Sequence, residues 1–178
     1  MRREREYKNL LLVERPNGDF AHTILRHLFY GVFMEAFWEQ ALGSNDATLA
    51  GIAGKALKEV NYHVRHTGEW TIRMGDGTEE SAQRMADAMA ALAPYIGELF
   101  ETDTVTDAAA KAGIAPSPAD LRAPWDARLR PILSAAMLDL PEDPPVITGG
   151  RQGRHGEEMG FLLTELQYMQ RAYPGAEW

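Results

Sequence analysis

The 178-residue sequence contains no cysteine. That absence excludes disulfides, thiolate zinc sites, cysteine-ligated clusters and thiol nucleophiles together, and it accords with a reducing compartment. Positive charge is scarce: 18 Lys and Arg stand against 26 Asp and Glu, for a formal charge of −8. A surface that acidic repels phosphate backbones, so no nucleic-acid partner is expected. Long apolar runs are missing too. The run near the start, Leu10 to Val13, is far short of the roughly 20 residues of a membrane span and of a signal-peptide core. A soluble chain in the cytoplasm, without a membrane partner, is expected. Val and Ile are sparse and no strand pair presents itself.

What is present is an ordinary globular composition, 45% apolar and 25% charged. The length suits one domain over residues 1–178, and helical spacing runs almost throughout. Residues 20–42 are apolar at helical intervals, with Asn17-Gly18-Asp19 as a start signal. Asp46 opens a second helix over about 46–74, stopped at Gly75-Asp76-Gly77. Asp76 and Glu79 fit a capping box for a third, about 78–100, which Pro94 should kink. Seven of the ten prolines fall between Pro116 and Pro145, so residues 113–148 read as short helices joined by rigid turns. A last amphipathic helix, about 155–173, carries Met159, Leu162, Leu163, Leu166, Met169 and Tyr173 toward the core. The fold class is all-α, with no internal repeat.

A helical wheel at about 100° per residue places Glu35 and Glu39 within the apolar face of the first helix. In the second helix it places His63 on the apolar face and Glu59 and His66 at its edge. Charged groups turned into a bundle core are costly unless paired or bound to metal. A carboxylate-bridged di-iron site uses such an arrangement, with a Glu from each of two helices and Glu-x-x-His from two others. Here Glu59 is followed by His63 at i+4, and no Glu-x-x-His directs both residues inward. Glu35, Glu39, Glu59 and His63 are therefore candidates for a degenerate metal site or for an inward network of paired charges.

Other features carry weaker signals. Gly149-Gly150-Arg151-Gln152-Gly153-Arg154-His155-Gly156 invites a phosphate-binding reading ahead of a helix, but no strand precedes it, and a hinge or a contact with an acidic partner is the preferred reading. Ser81 and Ser134 have no His and Asp arranged around them that the sequence can show. Glu69 and Arg73 are spaced for an exposed ion pair.

The runs REYKNLLLVERPNGDFAHTI, KALKEVNYHVRHTGEW, MGDGTEES, YIGELFE and GRHGEEMGFLLTELQYMQRAYPGAEW resemble the C-subunit family of bacterial phenylacetyl-CoA monooxygenases, the ring 1,2-epoxidases of phenylacetate degradation. The resemblance runs from near the first residue to the last. It implies a ferritin-like helical bundle without a full ligand set of its own, and no catalytic or cofactor-binding residue in this chain. It further implies a structural role beside a catalytic di-iron A subunit. The implied complex adds a bridging B subunit and a reductase in which flavin and an iron–sulfur cluster carry electrons from NADPH. It transfers one oxygen atom to the aromatic ring of phenylacetyl-CoA. Members of that family begin with a further pair of long helices, so the bundle read here is N-terminally shortened, with the apolar faces of its first two helices exposed. Two rival readings follow from the residues: a di-iron ferritin-like oxygenase active in its own right, and a helical interaction module with no oxygenase partner.

Overall fold

Asp19 sets the start of the first helix: its carboxylate accepts from the His22 amide at 3.0 Å. From it, α1 runs over Phe20–Ala41. Asp46 caps the next in the same way, accepting from Thr48 and Leu49, and α2 spans Ala47–Gly75. The computed structural model describes residues 2–177, and the remaining helices are α3 (Glu79–Leu92), α4 (Thr104–Lys111), α5 (Arg122–Ala135) and α6 (Glu157–Ala172). All described secondary structure is helical, and no helix among the described residues is long and apolar enough to cross a membrane.

α1 and α2 form a long hairpin. Its turn is pinned to the end of α4: Asn45 donates to the Gly113 and Ala112 carbonyls at 2.8 and 2.9 Å, and Ser44 Oγ donates to Ile114 O at 2.6 Å. Leu25, Leu28, Phe29 and Val32 of α1 meet Met85 and Met89 of α3 on one side and Trp125 and Leu129 of α5 on the other. The Trp125 indole N–H donates to Phe29 O at 2.9 Å, so the largest buried side chain enters the core with its polar atom satisfied.

α2 is buried through small residues. Ala53, Val64, Thr67, Gly68, Thr71 and Gly75 form its covered stripe. At Gly75 an added Cβ would stand 2.1 Å from the Ala136 carbonyl oxygen, so the ends of α2 and α5 touch backbone to backbone.

Three expected elements differ. The third helix is capped by Thr78 with Ser81 rather than by Asp76 with Glu79. It ends as α-helix at Leu92 instead of near residue 100, because Pro94 lacks the N–H that an α-helix needs, and 3-10 turns at Ala93–Tyr95 and Gly97–Phe100 follow. The final helix packs on little besides the N-terminal strap, residues 2–15. It covers Met159, Leu163 and Gln167, while Leu162, Leu166, Met169 and Tyr173 are exposed. Against the expectation of an exposed apolar face, Ile24, Leu25, Leu28 and Val32 of α1 are buried; the exposed apolar residues of the hairpin include Phe20 on α1 and Ile52 and Tyr62 on α2.

Candidate functional site

The four residues singled out as possible ligands do not converge. Glu35, near the middle of α1, is buried, and its Oε2 receives the Arg128 Nε of α5 at 2.9 Å. Glu39, one turn later, is exposed. Glu59 is exposed as well. The wheel weighted the larger apolar residues of α2, but the contact stripe follows its Gly, Ala and Thr positions, which turns Glu59 outward. His63 is half-buried and its ring packs against that of His27 on α1, centroids 5.0 Å apart. The inward polar set of the sequence reading thus reduces to Glu35, with His63 at the rim.

A di-iron site needs carboxylates and imidazoles aimed at one point. Here the buried carboxylate is already matched by a guanidinium, and no group of three or more His, Asp or Glu able to hold a metal occurs among the described residues. The donor set does not fit such a centre. Around His27, burial pushes the imidazole below its ordinary value, with His63, His66 and Arg26 adding to the shift.

The polar chemistry of the interior lies elsewhere, where the sequence reading missed it. Glu98, in the 3-10 turn after α3, is fully buried. One oxygen accepts from the Gly149 and Gly150 amides at 2.9 and 2.7 Å, and the other from the Leu11 amide at 2.6 Å. The glycine-rich loop does cradle an anion, but the anion is a carboxylate of the same chain. Both glycines are required there: Gly149 has φ +124°, and a Cβ on Gly150 would lie 2.1 Å from the Asn9 carbonyl oxygen. The loop is therefore a fixed joint and not a hinge.

Glu14 makes a second joint of the same kind. Its Oε1 accepts from Asn9 at 2.6 Å and faces His155 Nδ1 at 2.5 Å, while Oε2 accepts from the Gly156 amide at 3.2 Å. The other His155 nitrogen lies 3.1 Å from the Tyr7 carbonyl. Arg15 forms a bidentate pair with Glu158, and Gln167 of α6 donates to the Tyr7 hydroxyl. Strap, loop and α6 are thus one hydrogen-bonded unit. The signal was present in the sequence as single carboxylates inside apolar runs, Leu10-Leu11-Leu12-Val13-Glu14 and Ile96-Gly97-Glu98-Leu99.

The remaining candidates have structural duties or none. The Ser81 hydroxyl accepts from the Thr78 amide in the capping box of α3 and donates to Met74 O. Ser134 is exposed. Arg73 lies over the Trp70 ring at 5.5 Å rather than pairing with Glu69.

The described secondary structure is helical throughout, and the chain is a helical-bundle protein of the ferritin-like class. Comparison with known sequences narrows the class: the chain belongs to the phenylacetic acid catabolic protein family, whose model matches residues 1–178. It is 42% identical over 177 residues to the C subunit of the 1,2-phenylacetyl-CoA epoxidase of Escherichia coli (strain K12), an alignment that covers 99% of this chain and 71% of that relative.

Proposed function

We propose that this chain is a non-catalytic structural subunit of a multicomponent phenylacetyl-CoA 1,2-epoxidase, pairing with a di-iron catalytic A subunit in aerobic phenylacetate degradation. The observation that carries the reading is the Glu35–Arg128 pair: the one buried carboxylate among the candidate ligands is committed to a cation of its own chain. The redox groups then belong to other subunits, with di-iron in the A subunit and NADPH, flavin and iron–sulfur cluster in the reductase, and a B subunit bridging. The relative's name describes a subunit, and the exposed apolar side chains of α6 give a partner something to cover.

In such a complex the residues of this chain hold shape. Glu98 and Glu14 fix the strap and α6, and Glu35 joins α1 to α5. Co-expression with a tagged A-type subunit, followed by the mass and iron content of the eluate, tests the proposal. Co-elution at a defined mass, with iron stoichiometric to the A subunit alone, is expected. A folded chain that does not co-elute, or that retains about two irons when purified alone, overturns it.

A further inference from the structure

A groove of about 430 Å³ runs between α1, α4 and the strap, within the size range of small-molecule sites. Its wall is largely aromatic and aliphatic: Tyr30, Phe33, Met34 and Phe37 come from α1, and Val105 and Ala109 from α4. Two cationic side chains, Lys8 and Arg151, stand at the same groove. Lys8 Nζ donates to Arg5 O at 3.2 Å.

Arg151 is the informative residue. It is half-buried and gives one N–H to the Glu101 carbonyl at 2.9 Å. A guanidinium has five donors in a planar fork suited to carboxylate, and Arg151 has no carboxylate within ion-pair distance among the described residues. Asp103 feels its charge, but Asp103 Oδ1 is held by the Val105 and Thr106 amides as the cap of α4. Tyr30 adds a hydroxyl without a hydrogen-bond partner among the described residues, and burial pushes its phenol up, so it remains a donor. A half-buried cation and a free phenol beside an aromatic wall match a ligand with a flat apolar body and one anionic end. The chain as a whole carries −8, so attraction of an anion has to be local to this place.

We propose that the groove lined by Tyr30, Phe37, Ala109 and Arg151 binds a small aromatic carboxylate, the ring against the α1 aromatics and the carboxylate on Arg151. This goes beyond the structural role in a complex and does not depend on it.

Titration calorimetry of the chain with benzoate tests the proposal, with benzyl alcohol and inorganic phosphate as the neutral and non-aromatic probes. Saturable benzoate binding below about 10 mM is expected, with both other probes at least about tenfold weaker. Arg151→Gln is expected to weaken benzoate about tenfold or more. Ala109→Phe, which removes no polar contact and fills the groove, is expected to abolish binding, and it decides the matter if Arg151→Gln disturbs folding by circular dichroism. Absence of saturable benzoate binding overturns the proposal. So does equal binding of benzyl alcohol or phosphate, or benzoate binding unchanged in Ala109→Phe.

Discussion

Glu14 and His155 meet side chain to side chain at 2.5 Å, both sealed from solvent, one from the strap and the other from the loop ahead of α6. The Glu14 carboxylate also accepts from Asn9 and the Gly156 amide, so removing it leaves buried polar groups without their partner, which costs about 1–3 kcal/mol. Glu14→Ala is expected to fall in that range by urea denaturation, and Glu14→Ala/His155→Ala to cost less than the sum of the two single changes. Additive losses would mean that the pair is not coupled.

Arg128→Ala leaves Glu35 largely buried without its cation and is expected to destabilise by about 1–3 kcal/mol. Glu39→Ala and Glu59→Ala, at exposed positions, should stay within about 0.5 kcal/mol of the parent. Thermal melts of the three variants distinguish this pattern from one in which the four acidic and imidazole candidates act as a network, where Glu59→Ala would be the costly change.

Gly75 and Gly51, both in α2, should respond to alanine with opposite sign. Gly75→Ala drives a Cβ into the Ala136 backbone and is expected to cost about 1–3 kcal/mol. Gly51 has open space around the same position, and Gly51→Ala should gain up to about 1 kcal/mol from helix propensity. The denaturation midpoints of the two variants check both signs.

His27 carries a pH dependence of defined sense. Its folded-state value is pushed below the unfolded value of about 6.5 by burial and by His63, His66 and Arg26. Just below that pH the unfolded chain binds more protons at this residue than the folded one. Its contribution is therefore complete above about pH 6.5 and declines as the pH falls toward the lowered folded value. Melting temperatures of the parent should drop more between pH 7 and pH 5 than those of His27→Gln. An NMR titration that places His27 at or above the free imidazole value would contradict the assignment.

The starts of α1 and α2 were legible in the sequence because caps act locally: Asp19 and Asp46 sit where their side chains accept from the next amides. The end of α3 was harder to place, since the apolar period continues through Ile96 and Leu99 while Pro94 changes the hydrogen bonding beneath it. The rotation of α2 was not legible. Its contact stripe depends on how closely Gly68 and Gly75 let α5 approach, and a wheel that counts hydrophobicity assigns such residues little weight. The buried carboxylates were missed for a related reason. Glu98 stands out as a lone carboxylate in an apolar run, but its partners are main-chain amides of residues far away in sequence, which no side-chain pattern marks.

The joint between strap and loop also bears on how the chain is made. Glu14 and His155 are 141 residues apart, and a ribosome adding roughly 5–20 residues per second takes on the order of 7–28 s to go from one to the other. Throughout that interval Glu14 has no imidazole to meet, and the Leu11 amide waits for Glu98, 87 residues downstream. The strap is thus made well before the residues that fix it, and Leu11, whose side chain lies against Gly150, lacks that cover on the nascent chain until then.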